Sequence, residues 1–105
     1  MIAQTPEPPY YAVIFTSERT ALEEGYEETA SRMVALAKEQ PGFLGVESSR
    51  TEIGITVSYW KDLEAIKHWK MNMEHSVARA KGRTDWYSTF KVRIAKVERD
   101  YEFEK

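Results

Sequence analysis

Two residues in the second half of the chain, His75 and Arg79, have types and a spacing that suit acid–base chemistry. An imidazole with an ordinary pKa of about 6.5 gains and loses a proton near neutral pH, so His75 can act as a general base. Arg79 follows four residues later and lies one turn along the same face if this segment is helical. Its positive charge would then stabilise an anion formed by proton loss. The pair is therefore a candidate catalytic site.

Four aromatic residues are candidates for the walls of a substrate-binding cleft: Trp69, Trp86, Tyr87 and Tyr59. The chain has three Trp and six Tyr in 105 residues, more than so small a core requires. Small-molecule sites are usually apolar clefts with a few convergent polar groups. We therefore expect a cleft between the second helix and the sheet, with His75 as its most influential polar group.

A purely structural role stays open for each of these residues. Trp69 falls at helical spacing with other apolar residues and can belong to the core. His75 can cap a helix or a turn, and Arg79 can belong to a solvated basic face. Trp86 and Tyr87 can pack against the second helix or against another protomer.

Composition and motifs exclude several classes of function. Without cysteine there is no disulfide scaffold, Cys zinc site or thiol nucleophile, and this favours the cytoplasm. A net charge of −2 provides no broad basic surface for binding nucleic acid. No apolar run approaches the ~20 residues of a membrane span. The carboxylates and two histidines have no metal-ligand spacing, and phosphate-loop, dinucleotide-binding and serine-hydrolase motifs are absent. We predict neither a metal site nor a membrane or nucleic-acid partner.

Three prolines in residues 1–9 predict an extended arm, and hydrophobic patterning predicts a single domain over residues 10–105. Asp62 is a candidate N-cap for the second helix, and Gly25 is a weak point inside the first. The elements follow the order β-α-β-β-α-β: strand Tyr10–Thr16, helix Leu22–Gln40, strands Phe43–Arg50 and Ile55–Trp60, helix Leu63 to about Met71, a short helix within Met73–Arg83, and strand Ser88 to about Arg99. This is the ferredoxin-like arrangement, an α+β antiparallel sheet with helices on one face.

The first strand is apolar on both faces, which predicts that both faces of the sheet are covered. The chain has no further element for the second face, so we expect a homodimer that packs sheet against sheet. The alternative is a monomer with an amphipathic open sheet.

Several segments resemble the antibiotic biosynthesis monooxygenase domain. They are PGFLGVE over residues 41–47, YWKDLEAI over 59–66 and RIAKVERDY over 93–101, with Trp69, His75, Gly82-Arg83 and Trp86-Tyr87 between them. The resemblance covers about Tyr10–Tyr101. It implies a dimeric α+β barrel and oxygenation of a small aromatic or polyketide-like compound without a metal, flavin or other cofactor.

The resemblance also assigns roles and leaves alternatives. In the quinone-forming branch, His75 would accept the substrate proton and Arg79 would stabilise the anion that reacts with dioxygen. In the haem-degrading branch, the position of the proximal His falls on Arg79, which cannot ligate iron, so haem binding is disfavoured. A non-catalytic small-molecule-binding or stress-response dimer remains the other alternative.

Overall fold

The computed structural model describes residues 2–80 and 86–105, and for residues 75–80 it describes the helical backbone alone. The elements are β1 (Tyr10–Arg19), α1 (Tyr26–Lys38), β2 (Phe43–Arg50), β3 (Gly54–Trp60), α2 (Leu63–Ala80) and β4 (Tyr87–Val97). They form a four-stranded antiparallel sheet in the order β2-β3-β1-β4, with two helices. The predicted α+β ferredoxin-like fold is confirmed.

Trp60 and Trp69 form the centre of the core. Trp60 is fully buried, and its ring stacks on that of Trp69 with centroids 5.8 Å apart and an interplanar angle of 22°. Ala37 of α1 and Ile66 of α2 belong to the same cluster, and Val13 of β1 packs against it. Since Trp60 lies in β3 and Trp69 in α2, this contact fixes the second helix over the β2–β3 half of the sheet.

The first helix begins later than its periodicity predicts, at Tyr26 rather than Leu22. Gly25 precedes it with φ of 80°, a left-handed conformation that glycine adopts without steric cost. Gly25 is therefore the residue at which the chain enters the helix, and its prediction as a weak interior point is wrong.

The second helix is longer than predicted and runs without a break from Leu63 to Ala80. The predicted end of the second helix near Met71 is therefore wrong, and so is the prediction of a separate short helix that begins at Met73. The predicted end of that short helix at Gly82 lies outside the described residues. The predicted N-cap is confirmed, because Asp62 Oδ1 accepts a hydrogen bond of 2.8 Å from the Ala65 amide.

The two faces of the sheet have different surroundings. Side chains alternate along β1, and Tyr11 and Val13 point toward the helices, so Tyr10 and Ile14 point to the other side. We call that other side the open face. In residues 2–80 and 86–105, no helix is long and apolar enough to cross a membrane.

Candidate functional site

Trp69 is part of the core and has little exposed surface. Its side chain is 9% exposed and lies against Trp60, which in turn makes an edge-to-face contact with Phe43 at 5.4 Å. An aromatic pair of this kind contributes about 1 kcal/mol beyond the burial of its area. Trp69 can therefore supply only an edge to any cleft beside it.

Trp86 joins the last strand to the start of the first helix. Its ring is 5% exposed, and its indole Nε1 donates a hydrogen bond of 2.9 Å to the carbonyl oxygen of Glu24. The Trp86 carbonyl oxygen accepts hydrogen bonds from the Thr20 amide at 2.9 Å and from Arg19 Nε at 3.1 Å. These contacts hold β1, the N-terminal end of α1 and β4 together at one corner of the helix side.

An aromatic cluster with one cation occupies this corner. It consists of Phe15, Arg19, Tyr26, Tyr87 and Phe90, and we call it the aromatic cluster. The Phe15 ring lies 5.5 Å from both Tyr87 and Phe90, and Tyr87 meets Tyr26 edge to face at 5.9 Å. The Arg19 guanidinium carbon sits 3.4 Å from the centroid of the Tyr26 ring, a cation–π contact. The cluster therefore brings two phenols and a positive charge to one place.

An apolar surface extends from the aromatic cluster along β1 and β4. Val13 pairs with Ile94 and Phe15 with Val92, so these side chains share the helix side of the sheet. Phe90, Val92 and Ile94 are 42%, 45% and 54% exposed, whereas the helices cover the β2–β3 half. We call Val13, Phe15, Phe90, Val92 and Ile94 the β1–β4 surface. It provides a floor on which a flat apolar molecule can lie.

The Tyr87 hydroxyl lies 3.5 Å from the Tyr26 hydroxyl. Burial and this neighbouring hydroxyl raise the pKa of Tyr87 well above its ordinary value, although the charges of Arg50 and Arg19 act in the opposite direction. The Tyr87 hydroxyl donates a hydrogen bond to that of Tyr26. Tyr87 stays protonated near neutral pH, and its hydroxyl hydrogen can turn from Tyr26 to a ligand.

Tyr59 lies on the open face, away from the other predicted site residues. Its hydroxyl donates a hydrogen bond of 2.5 Å to Glu47 Oε1, and its ring meets Tyr10 edge to face at 5.8 Å. Burial and the bond to Glu47 raise the pKa of Tyr59, while that bond and one from the Ala3 amide lower the pKa of Glu47. This network binds the N-terminal arm to the sheet.

His75 and Arg79 both fall within α2, four residues apart on one continuous helix. Their side chains lie outside the described part of the structure, so their catalytic roles stay predictions. Of the predicted wall residues, the structure brings Trp86 and Tyr87 together at the corner, places Trp69 in the core and separates Tyr59 from all three. Within the described residues, no group of three or more His, Asp or Glu side chains could hold a metal ion.

Sequence reasoning missed Arg19, Tyr26, Arg50, Phe15 and Phe90. Phe15 and Arg19 carried a usable signal, because they continue the alternation of Val13 along the first strand. Arg50 carried none, since its place depends on the pairing of β2 with β3 and then with β1.

Residues 9–81, more than half of the chain, match the family model of antibiotic biosynthesis monooxygenases. The chain belongs to the antibiotic biosynthesis monooxygenase family. The resemblance noted in the sequence is thereby confirmed.

Similar proteins include one sequence relative and two solved structures, and the structures support the fold. The chain is 55% identical to the Bacillus subtilis protein YqjZ over 106 residues, which span 99% of this chain and 93% of YqjZ. SnoaB, a cofactor-independent oxygenase from Streptomyces nogalater, has a structure that matches with a TM-score of 0.70 at 13% identity, over 89% of this chain and 97% of SnoaB. PA3566 from Pseudomonas aeruginosa matches with a TM-score of 0.68 at 18% identity, over 91% and 99% of the two chains.

We predict that Trp86 is a structural anchor of this corner. Replacing Trp86 with Phe removes the hydrogen bond to Glu24 and leaves a cavity, so the free energy of unfolding should fall by about 2 kcal/mol. Urea denaturation followed by circular dichroism measures this, with Tyr101→Phe as the control because Tyr101 is 99% exposed. Equal stability of Trp86→Phe and the wild type would show that the indole does not anchor the corner.

Proposed function

We propose that this protein is a cofactor-independent monooxygenase that oxidises a small aromatic compound bound on the β1–β4 surface. The observation that carries this proposal is the exposed apolar floor of β1 and β4, which ends at the hydroxyls of Tyr26 and Tyr87. Membership of the monooxygenase family and the likeness of the fold to SnoaB support it.

The proposed reaction uses an acidic C–H group of a phenol-like or anthrone-like substrate. His75 takes the proton, and the electron-rich carbanion adds to dioxygen to give a hydroperoxide after protonation. Loss of water then leaves a carbonyl group on the former CH₂ carbon. One oxygen atom enters the product and the other leaves in water, and the substrate supplies all four electrons. Tyr87 would donate a hydrogen bond to the substrate oxygen on which negative charge develops.

The second candidate is a small-molecule-binding protein without catalysis. It is favoured by the aromatic cluster itself, whose polar side chains are one arginine and two tyrosines rather than a general base. The two functions differ in their dependence on His75.

Oxygen consumption with a panel of hydroquinones and anthrones tests the enzyme. We expect turnover by the wild type and a loss of about 10²- to 10⁴-fold in rate for His75→Ala, the usual contribution of a general base. Val92→Lys puts a charge on the apolar floor and should lower kcat/KM by ~10-fold or more, since it opposes apolar binding. Val34→Lys is the matched control, because Val34 is an exposed apolar residue of α1 and belongs neither to the β1–β4 surface nor to the open face.

Absence of turnover for the whole panel would contradict the enzyme and leave the binding protein. Turnover with His75→Ala equal to the wild type in rate and pH profile would show that His75 is not the base.

We also propose that the protein is a homodimer that packs through its open face. Ile55 on this face is 46% exposed, and Ile14 and Val57 beside it are half-buried. Burial of apolar surface is favourable by about 25 cal/mol per Å², so the exposed apolar part of this face around Ile55 favours association with a second copy.

Light scattering at micromolar concentration should report about twice 12.2 kDa. Ile55→Asp should shift the protein toward monomer, because it places a charge in the proposed interface. Ile53→Asp is the control, since Ile53 is 49% exposed but lies in the turn before β3. A folded wild-type monomer at this concentration would contradict the dimer.

A further inference from the structure

Two arginines from different strands converge on the end of the β1–β4 surface. Arg50 lies at the end of β2, and its guanidinium donates a hydrogen bond to the hydroxyl of Ser17 on β1. It passes over Gly54, where any side chain would collide with the guanidinium. Arg19 lies two residues beyond Ser17 on the same face of β1. The Arg19 guanidinium lies over the Tyr26 ring, so both cations lie at this end of the helix side.

The hydrogen bonds of these guanidinium groups to described residues go to neutral acceptors. Arg19 donates to the carbonyl oxygens of Trp86 at 3.1 Å and Leu22 at 2.6 Å, and Arg50 donates to the Ser17 hydroxyl. These bonds fix the direction of each guanidinium without neutralising its charge, and each guanidinium has five N–H donors. The arrangement resembles the way proteins prepare cations for an incoming carboxylate or sulfonate.

The cations and the apolar floor together select a chemical class of ligand. Phe15 and Phe90 stack with ring centroids 5.5 Å apart beside Ser17, so an aromatic ring that lies on them has its edge toward Arg50. A neutral aromatic molecule would contact the apolar floor but would give the two arginines no anionic partner. An aromatic molecule with an acidic substituent satisfies both.

We propose that the β1–β4 surface binds aromatic anions, with the rings on Phe15, Phe90 and Val92 and the acidic group between Arg19 and Arg50. This proposal takes only the location of the site from the proposed function, and it holds whether or not the bound compound is oxygenated. It narrows the substrate class from small aromatic compounds to those that carry a carboxylate, sulfonate or ionised phenol.

Two fluorescent probes that differ in one acidic group test this proposal. The anionic probe is 8-anilinonaphthalene-1-sulfonate, and the neutral probe is N-phenyl-1-naphthylamine, which has the same ring system without the sulfonate. The dissociation constant of each probe is measured by fluorescence titration of the full chain. The variants are Arg50→Gln, Arg19→Lys, which keeps the charge, and the double variant Arg19→Gln/Arg50→Gln. Arg32→Gln is the matched control, because Arg32 is exposed on α1.

We expect the double variant to raise the dissociation constant of the sulfonate probe by ~10-fold or more, since each of the two substitutions removes a charge-assisted hydrogen bond to the sulfonate. The neutral probe should change by less than about threefold, and Arg32→Gln should bind both as the wild type does. Arg50→Gln should weaken sulfonate binding on its own, which keeps the test informative if circular dichroism shows that the double variant is unfolded. Arg19→Lys should keep most of the sulfonate affinity.

The proposal is overturned if the wild type does not bind the sulfonate, or if the arginine variants weaken both probes equally. It is also overturned if Arg50→Gln leaves sulfonate binding unchanged. Charge-dependent binding without oxygen uptake would contradict the oxygenase alone. Oxygen uptake with charge-independent binding would contradict the anion site alone.

Discussion

The stacking of Trp60 on Trp69 determines where this fold can hold a ligand. It joins β3 to α2 with ring centroids 5.8 Å apart, and Ala37 of α1 packs into the same cluster. Ala37 of α1 and Ile66 of α2 therefore pack over the β2–β3 half of the sheet. The β1–β4 half keeps Phe90, Val92 and Ile94 exposed on its helix side. Because the core lies over the β2–β3 half, the apolar side chains of β4 on the helix side stay exposed in the protomer.

The polar groups of the candidate site are positioned by long-range contacts rather than by one motif. Arg19 is held by the Trp86 carbonyl 67 residues away, and Arg50 is held by Ser17 33 residues away. Trp86 is in turn fixed by Glu24 at the entry to α1. In the described part of the chain, each guanidinium is directed by neutral hydrogen-bond acceptors, so these bonds leave its charge unpaired. The proposed preference for an anion rests on these two local charges rather than on the overall field of the protein.

Much of the fold could be predicted from the sequence, because its signals are local. Alternation gave the start of β1 and the bounds of β2, and Asp62 marks the start of α2 as its side chain caps the Ala65 amide. The start of α1 was missed because Gly25 takes a left-handed conformation at the entry to the helix, which the apolar periodicity does not indicate.

The candidate site was harder to predict than the fold. Tyr59 was grouped with the other aromatics, yet strand register places it on the open face against Glu47, and a shift of one residue would reverse that. Arg50 gives no sign of its role until β2 is paired with β3, because only then does it lie over Gly54 and reach Ser17.

The face of the sheet that binds an aromatic ligand can be determined directly by intermolecular nuclear Overhauser effects. Methyl-labelled protein would be saturated with anthraquinone-2-sulfonate, a stable aromatic anion. We expect effects between the ligand protons and the methyl groups of Val92 and Ile94, on the helix side of β4. Effects confined to Ile55 and Val57, on the open face, would contradict it.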